Sequence, residues 1–163
     1  MGTYAPAAPE CIHTRSPRYP VDRVVIHTAQ GTLKGTVAWF QTQGRKVPTA
    51  SHYVIGEDGE IVQMVADEKK CWHAGSKQDP GMNDRSIGIE HAGWVDDGKP
   101  PTEAMLKASA KVTAVMCRKF GIPVDRQHII GHCEVKGATH TDPGAEWPWE
   151  RYMALVKLAM EGP

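Results

Sequence analysis

Two histidines and an aspartate occur at places in the sequence where side chains of a folded chain can converge. His27 follows the β-branched run Val24-Val25-Ile26, which predicts a short buried strand ending at the histidine. His132 and Asp142 lie within residues 131–144, a stretch with three glycines and one proline that can bend back on itself. Two imidazole nitrogens and one carboxylate oxygen suit Zn²⁺ and leave a fourth tetrahedral position for water. Such a site can polarise a carbonyl group and activate water for hydrolysis.

Other residues could complete such a metal site, because the chain has eight histidines. Residue types and spacing alone leave several competing ligands open. These are His52, His73, His91, His128, His140 and Cys133. If the segment around His132 is extended, the side chain of Cys133 points to the opposite side. A Cys/His hydrolase with Cys133 or Cys71 as the nucleophile is a further alternative.

The four cysteines leave the redox compartment open. No two of them have CxxC spacing, which excludes a zinc-finger or thioredoxin motif. Two disulfides in an oxidising compartment and four thiols in a reducing one are both compatible with Cys11, Cys71, Cys117 and Cys133.

Strand and helix patterns are mixed along the chain, which predicts an α/β or α+β fold, and we favour a mixed α/β fold. The predicted strands lie at 24–26, 51–55, 61–65, 86–90 and 128–130, and the predicted helices at 36–43, 103–120 and 149–160. The helix at 103–120 has the clearest signals, with Thr102 before it and Gly121 after it. Thr36 is the predicted N-cap of the helix at 36–43. Together with the family resemblance given below, this pattern leads us to expect a central mixed β-sheet flanked by helices, in a single domain with the zinc cleft at one edge.

Composition is typical of one ordinary globular domain. The 163 residues are 40% hydrophobic, which is enough to form a core. Lys+Arg and Asp+Glu are balanced at 19 each, so we expect no nucleic-acid partner. No stretch approaches the roughly 20 apolar residues of a membrane helix, so we expect no membrane insertion. We also expect a monomer in which residues 1–20 form an extended N-terminal arm.

Six short strings make a comparison with known families specific. In chain order they are VVIHTAQG at 24–31, SHYVIGEDGEIVQMV at 51–65, CWHAG at 71–75, NDRSIGIEHAG at 83–93, IIGHCEV at 129–135 and HTDPG at 140–144. With these strings, residues 20–160 resemble the zinc-dependent N-acetylmuramoyl-L-alanine amidases of the amidase-2 family, relatives of phage amidase lysozymes and peptidoglycan recognition proteins. The resemblance implies a catalytic domain at 21–163. It also implies hydrolysis of the amide bond between the lactyl group of N-acetylmuramic acid and L-alanine of the stem peptide.

The resemblance implies roles for individual residues. His27, His132 and Asp142 match the zinc ligands of the family. Glu90 matches an acidic residue that assists the attacking water, in place of the tyrosine that many phage and animal members have near the strand predicted here at 51–55. His140 lies where many members have a lysine that stabilises the oxyanion.

Four further residues are candidates for substrate binding. Trp72 and His73 could line the wall of the cleft, although a buried tryptophan is at least as common. Asn83 and Arg85 could bind amide and carboxylate groups of the stem peptide. The alternative is that Asn83 caps a loop and Arg85 is a solvated surface residue.

The function that we favour from the sequence is bacteriolytic cleavage of peptidoglycan, as by an endolysin or autolysin, with a target in the cell wall or another extracellular site. One alternative is the same chemistry in the cytoplasm, on soluble anhydro-muropeptides during wall recycling. A second alternative is a recognition module that binds peptidoglycan without cleaving it. The sequence disfavours this module, because all three ligand positions are filled.

Overall fold

A six-stranded mixed sheet forms the centre of the computed structural model, which describes residues 2–94 and 98–162. In spatial order its strands are β1 (Thr3–Tyr4), β5 (Ile61–Gln63), β4 (Tyr53–Ile55), β7 (Ser86–His91), β3 (Arg23–Thr28) and β8 (Ile129–Gly131). Strands β4 and β5 form an antiparallel hairpin, and the other neighbouring pairs of this sheet are parallel. Two short strands, β2 (His13–Thr14) and β6 (Lys69–Lys70), form a separate antiparallel pair.

The two long helices cover only one face of the sheet. The helices are α1 (Leu33–Gln41), α2 (Met82–Arg85), α3 (Glu103–Phe120) and α4 (Trp149–Glu161). Val24 and Ile26 of β3 belong to the core that α3 and α4 complete. Val25 belongs to a smaller apolar cluster with α2, and His27 shares its face because side chains alternate along a strand. On the face that carries His27, α1 packs over Val54 of β4, and the part around β3 is left to loops and to the short helix α2.

The predicted α/β class is confirmed, and the clearest helix has the predicted bounds. The Thr102 side chain accepts a hydrogen bond from the amide of Met105 at the start of α3. Gly121 ends this helix in the left-handed region, with φ of 68°, where glycine is favoured. These are local interactions of the chain, which is why the sequence alone predicts the helix.

Helix α1 begins earlier than predicted, so the N-cap assigned to Thr36 is wrong. Thr32 is the N-cap, and its side chain accepts a hydrogen bond from the amide of Gly35. Thr36 lies inside the helix, where its hydroxyl group donates to the carbonyl oxygen of Thr32. The earlier start brings Leu33 against the core.

The N-terminal residues pair with the rest of the chain. Strand β1 extends the edge of the main sheet beside β5, and β2 pairs with β6. Between them, Ala7, Ala8 and Cys11 are buried in an apolar cluster. Arg15 follows, and its guanidinium group donates to backbone carbonyl oxygens of Asp67, Asn83, Asp84 and Ser86. Met1 and Pro163, the outer ends of the predicted arm and catalytic region, lie outside the described residues.

In the described ranges, every helix is too short or too polar to cross a membrane.

Besides the candidate ligands His27 and His132, two further histidines, His52 and His91, are buried within the fold. Nδ1 of His91 donates to the carbonyl oxygen of His27 at 2.8 Å, and Nε2 accepts from the Ser109 hydroxyl at 2.7 Å. The Tyr152 hydroxyl bonds both Ser109 and Thr113, which ties α4 to this network. Burial lowers the pKa of His91 and of His52 to about 3.

We expect the protein to lose stability as the pH falls from about 6.5 towards 3. Below a pH of about 6.5 a histidine of the unfolded chain becomes protonated, whereas the buried ring of the folded chain stays neutral. Protonation therefore stabilises the unfolded chain, and these side chains stabilise the fold fully only above about pH 6.5. Each contributes about 2 kcal/mol to the difference between pH 7.5 and pH 5. Urea unfolding of chelator-treated protein at these two pH values measures the effect.

The His91→Gln variant should show a smaller pH dependence by about one histidine's contribution. Tyr152→Phe is the control, because it weakens the same network without removing a group that titrates in this range. The same pH dependence of stability in wild-type protein and His91→Gln would contradict the lowered pKa assigned to His91.

Candidate metal centre

Three neighbouring parallel strands bring distant residues to one edge of the sheet. His27 near the end of β3 lies opposite Glu90 near the end of β7. On the other side of β3, Ile26 lies opposite Gly131, the last residue of β8, and His132 follows directly. The carboxyl ends of parallel strands are where α/β proteins bind ligands. His27, Glu90 and His132 therefore meet at this edge.

Asp142 reaches the same place from the loop after β8. The backbone amide of Cys133 donates to the carbonyl oxygen of Asp142 at 2.9 Å, and the Thr28 hydroxyl donates to that of Pro143 at 3.3 Å. A Cβ atom at position 131 would lie 2.6 Å from Cδ of Pro143. Gly131 is therefore required for the close approach of this loop to the sheet.

The structure brings together the two histidines and the aspartate that the sequence singles out. Donor atoms of His27, His132 and Asp142 all lie within 4.8 Å of one another, and all three residues are buried. The two carboxylate oxygens of Asp142 lie 3.0 Å from Nδ1 of His27 and 3.1 Å from Nδ1 of His132. This group could hold a metal ion.

The electrostatics of the group favour metal binding. Burial lowers the pKa of His27, which keeps its ring neutral. Burial alone would raise the pKa of Asp142, but the imidazoles of His132 and His27 beside its carboxylate hold that pKa well below its usual range. A histidine must be neutral and an aspartate must be ionised to bind a metal ion. His27 and Asp142 are in these states. The donor set therefore fits a metal ion.

Glu90 is half-buried in the floor of the cleft that contains this group. Burial raises the pKa of its carboxyl group to about 8, and the negative charge of Asp142 acts in the same direction. A carboxyl group with a pKa near neutrality can both take up and release a proton at physiological pH.

His140 lies at the rim of the site. Its ring stacks on that of His132 with centroids 4.4 Å apart, and Nδ1 lies 3.8 Å from Oδ1 of Asp142. The side chain is 65% exposed, so the imidazole can contact a molecule bound in the cleft.

The cleft above the group has a volume of about 1430 Å³. This exceeds the roughly 300–1,000 Å³ of a typical small-molecule site, so there is room for a larger substrate. Exposed tryptophans Trp39, Trp72 and Trp94 line it. Trp39 and Trp94 were missed at the sequence level, because a tryptophan beside apolar residues such as Phe40 is as readily assigned to the core.

Three of the four candidate substrate-binding residues line the cleft. Trp72 does so while stacked on His13, and His73 lies beside His27. Asn83 also lines the cleft, but its side-chain oxygen accepts hydrogen bonds from the backbone amides of His73 and Ala74. Asn83 therefore holds a loop, as in the alternative interpretation.

The structure places Arg85 away from the cleft, unlike the other three candidates. Arg85 directly precedes β7, and its guanidinium group forms an ion pair with the carboxylate of Asp22. Glu90 is near the opposite end of that strand, about 16 Å further along at the usual rise per residue. Arg85 is not among the described residues that line the cleft.

All four cysteines are free thiols in the structure. Burial raises the pKa of Cys71, and burial together with the charges of Glu134 and Asp142 raises that of Cys133. The thiolate is the nucleophilic form, so neither residue has the environment of a catalytic cysteine. This argues against the Cys/His hydrolase.

Two histidines, an aspartate and a glutamate of raised pKa at the carboxyl edge of a parallel sheet are typical of a hydrolase that uses a metal ion. Residues 17–145 match the family model described as N-acetylmuramoyl-L-alanine amidase. The chain belongs to this family, and it is an amidase.

Relatives and solved structures agree with this assignment. N-acetylmuramoyl-L-alanine amidase A of Achromobacter lyticus is 32% identical over 151 residues, which cover 82% of this chain and 81% of that protein. The 1,6-anhydro-N-acetylmuramyl-L-alanine amidase AmpD of Salmonella typhimurium is 35% identical over 132 residues, covering 79% and 68%. A crystal structure of a selenomethionine AmpD derivative matches with a TM-score of 0.76 and 27% identity, covering 95% and 94%. The predicted fold is thereby confirmed.

We expect the Glu90 carboxyl group of metal-free protein to titrate near pH 8, because burial and the charge of Asp142 both disfavour its ionised form. Carbon-13 NMR of the glutamate carboxyl groups measures this pKa. The Asp142→Asn variant removes the second cause and should lower the value, while burial remains. Titration of Glu90 at the ordinary glutamate pKa of about 4.3 would contradict the description of its surroundings.

Proposed function

We propose that this amidase uses zinc to hydrolyse the bond between N-acetylmuramic acid and L-alanine in soluble 1,6-anhydro-muropeptides. The observation that carries the chemistry is the convergence of His27, His132 and Asp142 beside Glu90. The substrate class is supported by the AmpD relative, whose name specifies 1,6-anhydro-N-acetylmuramyl-L-alanine. This relationship favours the alternative derived from the sequence over bacteriolytic cleavage of the intact wall.

The donor set favours Zn²⁺ over harder cations. Zinc accepts imidazole nitrogen and carboxylate oxygen in open sites with three protein ligands, whereas Mg²⁺ and Ca²⁺ prefer oxygen ligands alone. His27, His132 and Asp142 would hold the ion through the atoms that already face one another. Bound zinc would supply a Lewis acid that polarises the scissile carbonyl group and activates water.

Glu90 and His140 would carry out the proton transfer and the stabilisation of charge. Glu90 takes one proton from the attacking water and delivers it to the nitrogen of L-alanine. The C–N bond then breaks, which leaves a carboxylate on the muramic acid and a free amine on the peptide. His140 at the rim donates a hydrogen bond to the oxyanion that develops on the carbonyl oxygen.

A soluble substrate also changes the proposed location. It corresponds to the cytoplasmic alternative, and the extracellular target expected from the sequence gains no support from the relatives. The candidate ligands, Glu90 and His140 all come from one chain, which is compatible with action as a monomer.

Glu90→Gln should lower turnover by about 10²–10⁴-fold, the usual contribution of a general acid–base residue. His140→Ala should lower it by about 10²–10³-fold, as for the loss of one oxyanion donor. Both variants should keep one zinc per chain, measured by metal analysis alongside amine release. Glu60→Gln, in the exposed turn of the hairpin, is the matched control.

Removal of zinc by a chelator should abolish amine release, and added zinc should restore it. Full activity of Glu90→Gln, or of metal-free protein, would contradict the mechanism. Muropeptide binding without any release of amine, unaffected by the chelator, would instead identify a recognition module.

The substrate class can be tested by comparing three substrates that carry the same stem peptide. These are a 1,6-anhydro-muropeptide, the corresponding muropeptide with a reducing end, and intact sacculi. We expect kcat/KM for the anhydro form to exceed that for the reducing form by at least about tenfold, or ~1.4 kcal/mol of transition-state binding. Equal or faster release from sacculi would return the function to wall lysis.

A further inference from the structure

A chain of hydrogen bonds runs from the candidate metal centre into the fold. Nε2 of His27 lies 3.0 Å from Nδ1 of His73. Nε2 of His73 lies 3.1 Å from the hydroxyl oxygen of Ser86. That oxygen lies 2.5 Å from the backbone carbonyl oxygen of Met82 in helix α2. The chain thus starts at a candidate metal ligand and ends at a group that can only accept.

The last acceptor fixes the direction of every bond in the chain. A carbonyl oxygen has no proton, so the single hydroxyl proton of Ser86 must point to Met82. The Ser86 oxygen is then the acceptor for His73, which must carry its ring proton on Nε2. A neutral imidazole has one ring proton, so Nδ1 of His73 is an acceptor and receives the Nε2 proton of His27. This leaves Nδ1 of His27 unprotonated, so its 3.0 Å contact with Asp142 is that of two potential ligand atoms facing one ion, and not a hydrogen bond.

The surroundings hold the His73 ring in the position that this chain needs. A Cβ atom at position 88 would lie 2.6 Å from Nδ1 and 2.7 Å from Cγ of His73, so only glycine on β7 leaves room for the imidazole. On the other side, the Asn83 side chain accepts hydrogen bonds from the backbone amides of His73 and Ala74 at 3.0 and 2.9 Å. Helix α2 therefore fixes both the backbone of His73 and, through Met82 and Ser86, its ring.

We propose that His73 is a positioning residue, which holds His27 in the tautomer whose Nδ1 is free to bind the metal. This differs from the substrate contact that the sequence suggested for His73, and it rests on the proposed zinc site. The partner of a metal-bound histidine commonly sets which ring nitrogen carries the proton. Here that partner is the neutral imidazole of His73. The position of the proton on His73 is set in turn, through Ser86, by the backbone carbonyl oxygen of Met82.

A pair of variants whose side chains branch at Cγ in the same way tests the inference. His73→Asn can keep an oxygen acceptor close to the position of Nδ1, whereas His73→Leu cannot accept a hydrogen bond. We expect His73→Leu to weaken zinc binding by about 10–100-fold and His73→Asn to stay within a few-fold of wild type. The dissociation constant is measured by competition with a chromophoric chelator, and thermal unfolding of each variant shows that it folds.

The tautomer of His27 provides a readout that a purely structural role would not change. Two-bond nitrogen–proton NMR spectra distinguish protonated from bare ring nitrogens, and the wild-type spectrum should show His27 protonated at Nε2. Ser86→Ala removes the hydroxyl group that sets the direction of the hydrogen bonds, and it leaves the side chains of His27 and His73 themselves unaltered. It should add signals of the other tautomer and weaken zinc binding less than His73→Leu does. Ser16→Ala, a replacement of a serine outside the chain, is the matched control and should leave both measurements unchanged.

The outcomes separate this inference from the proposed function. Wild-type protein that takes up no zinc would overturn both. Wild-type protein that binds zinc, with equal affinity in His73→Leu, would overturn the positioning role alone. A raised KM in His73→Leu, with zinc affinity and the His27 spectrum unchanged, would return His73 to the wall of the substrate site. Protonation of His27 at Nδ1 in the wild type would also overturn it.

Discussion

The pairing of β3 with β7 on one side and β8 on the other is the constraint on which the site depends. It places His27, Glu90 and His132 together at the carboxyl edge of the sheet. A slip of one residue in either pairing would turn a side chain to the opposite face. Burial of Val24 and Ile26 under α3 and α4 opposes such a slip, because the slip would expose them. The apolar core therefore specifies the geometry of a polar site on the other face.

Burial shifts the pKa values of the polar side chains of this site in opposite directions. It lowers the pKa of His27 and raises the pKa of Glu90, because in each case it disfavours the charged form. The imidazoles of His132 and His27 beside Asp142 lower the pKa of its carboxyl group and keep it ionised. One environment thus provides a neutral nitrogen ligand, an anionic oxygen ligand and a carboxyl group ready to exchange protons. These are the forms that metal-assisted amide hydrolysis requires.

Features encoded locally could be predicted from the sequence, whereas those made by distant contacts could not. Helix α3 has its own caps and apolar period, so its bounds were predicted correctly. The trio of His27, His132 and Asp142 came from strings that carry family information, and the structure places them together. The β1 and β2 strands have two residues each and exist only through pairing with β5 and β6, so they have no pattern of their own. The partners of Arg85 and His73, Asp22 and His27, are likewise remote in sequence, which is why neither contact was foreseen.

The most direct test of this account is a crystal structure of zinc-loaded protein with anomalous diffraction data collected on both sides of the zinc absorption edge. We expect one strong anomalous peak per chain, within bonding distance of Nδ1 of His27, Nδ1 of His132 and a carboxylate oxygen of Asp142. A peak elsewhere, or coordination of His27 through Nε2, would contradict the arrangement described here. Absence of zinc from these three side chains at saturating zinc would contradict the proposed chemistry as a whole.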